Sequence, residues 1–220
     1  MKVNVRKKIL GANEQFAFEN SRLLAEKNVL CMNLISSPGS GKTSILVRTI
    51  DRMKGKLQLG VIEGDVQTDL DARKIAGTGA PVVQIETKGA CHLSAAQVNH
   101  ALRKLPLDDL DVVIIENVGN LVCPSAFELG EHSKVVVLSV AEGDDKPAKY
   151  PAIFAKSRVV LVNKIDLLTA GGVDFDIDRA AADARKLNSN IRILPVSAKT
   201  GEGFEQWQEV LLEAFETLKS

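Results

Sequence analysis

Cysteine is scarce in this chain: 220 residues hold three. An odd, sparse set excludes a disulfide framework and suggests a reducing compartment, where thiols pack or bind metal. Neither charge is in excess. Lys plus Arg number 28 and Asp plus Glu number 28, for a formal net charge of zero. That argues against a general polyanion binder, while a local basic groove stays open. Long apolar runs are missing too. Lys2, Arg6, Lys7 and Lys8 are followed only by Ile9 and Leu10, whereas a secretory signal needs an apolar region of roughly 7–15 residues. No run approaches the roughly 18 residues of a spanning helix. The expectation is a cytoplasmic, soluble protein with no membrane and no nucleic-acid partner. Low-complexity linkers and internal repeats are also lacking.

What is present is ordinary globular composition, 45% hydrophobic and 25% charged, which speaks against disorder and fibrous repeats. Such a length fits one α/β domain with an ample core. Apolar spacing predicts a helix over 3–27, with Ile9, Phe16, Leu23 and Leu24 on one face and Gly11 as a weak point. Short apolar runs predict strands over 29–35, 57–62, 82–85, 112–115, 135–140, 159–162 and 191–196. Helical patterns lie between them, over 42–54, 69–76, 93–105, 146–155 and 176–188. A last helix over 203–218 carries Phe204, Trp207, Leu211, Phe215 and Leu218 on one core face. Strands apolar on both sides, alternating with helices, imply an α/β fold with a mostly parallel sheet and helices on both faces. Residues 1–220 read as a single domain, with 1–28 as its helical appendage.

The strongest local motif is Ser36-Ser37-Pro38-Gly39-Ser40-Gly41-Lys42-Thr43-Ser44. It follows a strand and opens a helix, as a P-loop requires. Small residues such as Gly39, Ser40 and Gly41 let backbone N–H groups approach polyphosphate, and the helix N-terminus adds its dipole. Lys42 would reach the β and γ phosphates, and the Thr43 hydroxyl would ligate Mg²⁺. Ser36 departs from the pattern, standing where G-x-x-x-x-G-K-S/T has its first glycine. The bland alternative is a glycine turn ahead of a helix with an exposed lysine.

Asn163-Lys164-Ile165-Asp166 follows another strand and has the form N-K-x-D seen in GTPases. The Asp166 carboxylate can accept from guanine N1–H and the 2-amino group, a donor pair that adenine lacks. Asn163 would bond the ring edge and Lys164 would pack over the base. Ser197-Ala198-Lys199 resembles the S-A-K element that contacts guanine O6. Alone, each is no more than a solvated strand end; in this order behind a P-loop they favour GTP over ATP. Between them, Glu116-Asn117-Val118-Gly119 resembles D-x-x-G with Glu in place of Asp. Glu116 would ligate Mg²⁺ and the Gly119 N–H would contact the γ-phosphate. Asp65, in Glu63-Gly64-Asp65, is a candidate for Mg²⁺ or for orienting water, and Asp71 is a second. Helix capping is the competing account of both.

Cys31 sits in an apolar strand and reads as core. Cys91-His92 lies on a loop, and Cys123 lies just past Gly119. Two thiols and an imidazole suit Ni²⁺ or Zn²⁺ but fall one ligand short of a closed tetrahedral site. A water or a second chain can complete it. Spacing alone leaves unliganded thiols favoured; proximity to the γ-phosphate sensor raises the prospect of a nucleotide-linked metal site. His100 and His132 read as surface or helix residues without such a role.

Together the 36–43 loop, Glu63-Gly64-Asp65, Cys91-His92, Glu116-Asn117-Val118-Gly119, Cys123 and Asn163–Asp166 resemble the hydrogenase nickel-incorporation GTPases, the HypB family of the SIMIBI class, over essentially the whole chain. That resemblance implies a P-loop NTPase, G-domain-like fold and a homodimer promoted by GTP. It implies Mg²⁺-dependent GTP hydrolysis in aid of nickel delivery to the hydrogenase large-subunit precursor, alongside the small nickel metallochaperone HypA. It places Ni²⁺ or Zn²⁺ on Cys91, His92 and Cys123 at the dimer interface. It also suggests a lysine reaching the partner's nucleotide, Lys149 in preference to Lys146. No Cys or His occurs in residues 1–30, so the nickel-binding N-terminal motif of many relatives is not there, and the metal role falls to the G-domain site. No Gln or cis Arg stands out to position water, which implies slow turnover. The alternatives are a urease-type nickel GTPase, a P-loop small-molecule kinase and a non-hydrolysing metal scaffold.

Overall fold

The computed structural model describes residues 5–65, 69–169 and 171–220, with side chains from residue 11 onward. In chain order the elements are α1 (Val5–Glu26), β1 (Leu30–Ser36), α2 (Lys42–Met53), β2 (Leu59–Asp65), α3 (Leu70–Ala76), β3 (Val82–Glu86) and α4 (Ala95–Leu102). They continue with β4 (Val112–Glu116), β5 (Ser133–Ser139), α5 (Lys146–Lys149), α6 (Pro151–Lys156), β6 (Ser157–Asn163), α7 (Asp166–Thr169), α8 (Ile177–Leu187), β7 (Arg192–Pro195) and α9 (Phe204–Lys219). One seven-stranded sheet runs in the order β3-β2-β4-β1-β5-β6-β7. Every neighbouring pair in it is parallel.

The strand period of two sorts the core. In β1, Leu30, Met32 and Leu34 join the side of the sheet covered by α2 and α9, with Trp207, Phe204 and Ile45. Cys31 and Ile35 point to the other side, where α1 and α4 cover one half and α6 and α8 the other. Cys31 is a buried core thiol, as its apolar neighbours imply. On α9, Phe204, Trp207, Leu211 and Phe215 are buried, and the Trp207 Nε1–H donates to Thr49 Oγ1 at 3.0 Å. No helix among the described residues is long and apolar enough to cross a membrane.

Three expectations are corrected. Strand β2 runs on to Asp65, so Glu63, Gly64 and Asp65 lie within it rather than after it. The single helix over 146–155 is two, because Pro151 has no N–H to continue the ladder and disfavours helix at Tyr150 before it. On α1, Leu24 is buried but Phe16 is exposed, and Ile9 lies outside the described side chains. The buried face of that helix is Asn13, Ala17, Asn20 and Leu24.

Those asparagines act as hydrogen-bond splints. Asn13 Nδ2 donates to Glu128 O at 2.7 Å and its Oδ1 accepts from Ala95 N at 2.8 Å. Asn20 Nδ2 donates to Ala95 O and Leu129 O, and its Oδ1 accepts from Asn99 Nδ2 at 2.8 Å. Asn20→Ala strands two carbonyls and an amide in a dry seam. It is expected to cost about 1–3 kcal/mol, read as a lower urea midpoint in equilibrium unfolding.

Candidate functional site

Each functional segment leaves the carboxyl end of a strand. Ser36 closes β1, and the loop beyond it turns through Gly39 at φ 76° and Gly41 at φ 95°. A side chain at Gly41 is barred twice, by that left-handed backbone and by Asn163 Nδ2, which a Cβ would meet at 2.5 Å. Asn163 Nδ2 donates to Ser40 O at 2.9 Å, and Asn163 Oδ1 accepts from Ala198 N at 3.1 Å. Lys164 Nζ donates to Gly39 O at 2.7 Å. Ser197 Oγ donates to Asp166 Oδ1 at 2.6 Å. The phosphate loop, Asn163–Asp166 and Ser197–Lys199 thus form one bonded unit. Ser44 is exposed on the first turn of α2, and Lys199 is exposed at the end of its triplet. Arg48, which sequence reasoning passed over, braces the unit by donating to the carbonyls of Ala198 and Lys199.

Ser36 turns out to have a function of its own. Its hydroxyl accepts from Lys42 Nζ at 2.8 Å, inside a site where Lys42 is almost buried. Burial lowers the Lys42 pKa, against the pull of Glu116, Asp71, Glu142 and Glu63. Thr43 Oγ1 donates to Glu116 Oε1 at 2.8 Å. Gly119 lies against the phosphate loop, since a Cβ there would stand 3.0 Å from Pro38. Glu116 pairs in register with Glu63 on β2. Both are buried, and neither Oε2 has a hydrogen-bond partner. Burial and the facing Glu116 push Glu63 up to about 8. Burial raises Glu116 to about 7, opposed by Lys42 and the Thr43 hydroxyl. Two dry carboxyls beside a threonine hydroxyl are a donor set that fits Mg²⁺. Glu63 was visible only as part of a motif; its burial needed the strand register. Asp65 sits half-buried at the end of β2, and Asp71 lies in the first turn of α3, paired with Lys74 at 2.7 Å.

Cys91, His92 and Cys123 come together, with ligand atoms all within 4.8 Å of one another. His92 Nδ1 is 3.5 Å from Cys91 Sγ, and its ring stacks on Phe127 at 4.0 Å between centroids. Burial lowers the His92 pKa, a shift toward the neutral imidazole that a metal ligand requires. The Cys123 sulfur holds the Cys91 thiol above its usual range. Of the other two histidines, His100 is exposed on α4, whereas half-buried His132 accepts from Cys31 N through Nδ1 at 2.9 Å. Past β5, Lys146 is largely buried and its Nζ lies 3.5 Å from Ser37 Oγ. Lys149 is 62% exposed and pairs with Asp145 at 2.5 Å.

Fold and site together define a P-loop nucleotide-binding protein. Residues 30–195 match the family described as CobW/HypB/UreG, nucleotide-binding domain. Hydrogenase maturation factor HypB of Azotobacter vinelandii is 50% identical over 207 residues, 93% of this chain and 67% of the relative. The probable hydrogenase maturation factor HypB of Methanocaldococcus jannaschii is 39% identical over 217 residues, 99% of this chain and 97% of the relative. HypB from Helicobacter pylori, solved in complex with nickel, superposes with a TM-score of 0.88 at 36% identity, covering 94% of this chain and 96% of that one. A LAO/AO transport system kinase shares the fold alone, at TM-score 0.57, 16% identity and coverage of 99% and 78%. The chain belongs to the CobW/HypB/UreG family, among the HypB hydrogenase maturation factors.

The raised carboxyls fix a pH dependence. Without Mg²⁺ the unfolded chain releases these protons near pH 4.5, whereas the folded chain keeps them to about 7 for Glu116 and about 8 for Glu63. The stability these two groups contribute is therefore full below pH 4.5 and is lost as pH rises through 8. The melting temperature of the Mg²⁺-free protein is expected to fall between pH 5 and 8. Glu63→Gln should flatten that fall; an unchanged slope in calorimetry would refute the assignment.

Proposed function

We propose that this chain is a metal-binding GTPase that hydrolyses GTP to GDP and phosphate and assists nickel insertion into nickel-iron hydrogenase. The observation that carries the reading is the joint placement of two thiols and an imidazole: Cys91 and His92 on the loop after β3, and Cys123 at the start of a 3-10 turn past the Glu116–Gly119 segment. A bare phosphate-transfer enzyme has no use for them. Base choice rests on Asp166, whose carboxylate is oriented by Ser197 and matches the donor edge of guanine. Lys42 and the helix N-terminus stabilise charge on the γ-phosphate as water attacks in line. Mg²⁺ would be held by Thr43 and Glu116, with Glu63, Asp65 or Asp71 nearby, and would neutralise developing negative charge. Gly39, Ser40, Gly41, Ser44 and Gly119 present backbone to the phosphates; Asn163, Lys164, Ser197, Ala198 and Lys199 enclose the base.

Ni²⁺ is cargo in this scheme, and Zn²⁺ suits the same donors. Three ligands leave a coordination position for a second copy, so GTP-promoted dimerisation and metal binding belong together. Exposed Lys149 is the lysine with reach toward a partner's nucleotide, while Lys146 already faces its own phosphate loop. Residues 1–220 act as one P-loop unit, to which α1 is splinted through Asn13 and Asn20. The proposed partners are a small nickel metallochaperone of the HypA kind and the hydrogenase large-subunit precursor. The urease-type alternative has one observation in its favour: a relative in Helicobacter pylori, 38% identical over 215 residues (96% of this chain, 87% of the relative), is a hydrogenase/urease maturation factor.

Two experiments test the reading. Lys42→Ala is expected to lower GTP turnover by at least about 10²-fold, and Asp166→Ala to weaken GTP binding about 10–100-fold; normal turnover or equal ATP affinity would overturn it. In equilibrium dialysis, Cys91→Ala and Cys123→Ala should each lose bound Ni²⁺ or Zn²⁺. Full stoichiometry in both would leave the thiols structural.

A further inference from the structure

Between the carboxylate that holds Thr43 and the sulfur of Cys123 lie two asparagines that the nucleotide chemistry does not use. Asn117 is buried. Its Oδ1 accepts from Leu93 N at 3.2 Å and from Val118 N at 3.0 Å. Its Nδ2 donates to Asn33 Oδ1 at 3.2 Å. Asn120 reaches both halves of the cluster. Its Nδ2 donates to Cys91 O at 3.2 Å, and its Oδ1 accepts from Val122 N at 2.8 Å, next to Cys123. A carbonyl on one side and an N–H on the other leave the Asn120 amide a single orientation. The loop carrying Cys91 and His92 is therefore fastened to the 117–122 segment at Cys91 and Leu93, and Cys123 follows that segment directly.

The same segment is fastened to the phosphate loop. Glu116, one residue before Asn117, accepts from Thr43 Oγ1 at 2.8 Å. Gly119, one residue before Asn120, sits against Pro38. Thr43 Oγ1 donates its proton to Glu116 and keeps its lone pairs free to face a cation, so a cation there would act on Glu116 through this bond. Glu116 and Gly119, the two points at which the phosphate site touches this segment, are the residues immediately before Asn117 and Asn120.

We propose that Asn117 and Asn120 are positioning residues that set the spacing of Cys91, His92 and Cys123 and transmit the nucleotide state to the metal site. The inference rests on the GTPase and metal reading above and adds the residues through which the two sites communicate. The coupling is a property of hydrogen-bond geometry, because neither amide carries charge. Tethering at two points is what makes it specific: Asn117 governs the His92 side and Asn120 spans Cys91 and the approach to Cys123. Coupling of this kind typically changes affinity several-fold to about 100-fold, and it is reciprocal.

The test uses the full chain and Ni²⁺ alone as the metal probe, titrated with Mg²⁺ present and either GDP or a non-hydrolysable GTP analogue bound. Two readouts are taken, Ni²⁺ affinity and the nickel–thiolate charge-transfer absorption. Wild type should show different Ni²⁺ affinities in the two states, by about 5-fold or more. In Asn120→Ala the ratio should shrink to within about twofold of one, and the absorption band should shift. Asn120→Asp keeps the acceptor for Val122 N and loses the donor to Cys91 O, so its ratio should fall between the two. A wild-type ratio of one overturns the proposal and leaves the GTPase and metal reading standing, as does a full ratio with an unshifted band in both variants. If wild type binds neither GTP analogue nor Ni²⁺, the underlying reading falls, and this inference with it.

Discussion

A seven-stranded parallel sheet covered on both faces leaves polar chemistry one principal place, the carboxyl edge. Strand β1 stands at the centre, and the chain winds to one side for β2 to β4 and to the other for β5 to β7. Loops on the two sides of that change of direction part from each other and open a crevice. The phosphate loop lies at its middle. Carboxylates arrive from β2 and β4 on one side, and Asn163–Asp166 and Ser197–Lys199 arrive after β6 and β7 on the other. Asn163 makes this arrangement a single body, since one amide holds Ser40 O and Ala198 N together.

Two buried charge clusters in this chain have opposite characters. Near the start of β5, burial alone would lower Lys134, yet Glu131 and Glu128 hold its pKa above the ordinary value. Asn33 Nδ2 also donates to Glu131 Oε1. That cluster is closed. The phosphate site is open: Glu63 and Glu116 face each other over Lys42, and each keeps an unpartnered oxygen. Desolvation raises both carboxyls and lowers the lysine. Such a site costs stability when empty of counter-charge. On the proposed reading, a cation and a polyphosphate would offset that cost when bound.

Much of this was legible in the residues. Short apolar runs placed all seven strands, because a covered parallel sheet buries both faces of a strand, and the helical period placed most helices. The first helix misled for the converse reason. Its buried face holds Asn13 and Asn20 while Phe16 is exposed, and no hydropathy pattern announces an amide that finds partners only after folding. Ser36 looked like a defect in a glycine motif; its hydroxyl is the resting partner of Lys42. Glu63 needed its register opposite Glu116. Cys91 and Cys123 obey no local spacing rule. They meet because β3 and β4 flank β2, which brings the loops beyond them to one corner of the edge.

Asparagine recurs at several joints between separate segments: Asn13 and Asn20 under α1, Asn163 between the phosphate loop and Ala198, Asn117 and Asn120 between the loops that carry Cys91, His92 and Cys123. An amide both donates and accepts, so one side chain can satisfy an N–H and a carbonyl that belong to different segments. It does so without charge and without a titration near neutral pH. Glu63 and Glu116 do the opposite. They are held where their protonation depends on what else is bound. The consequence is a division of roles: amides hold the geometry at every pH, and Glu63 and Glu116 make occupancy of that geometry depend on pH and on cation. Glu116 and Asn117 are neighbours in the chain, one of each kind. Where they adjoin, a change in charge at the phosphate site becomes a change in hydrogen-bond geometry at the cysteines.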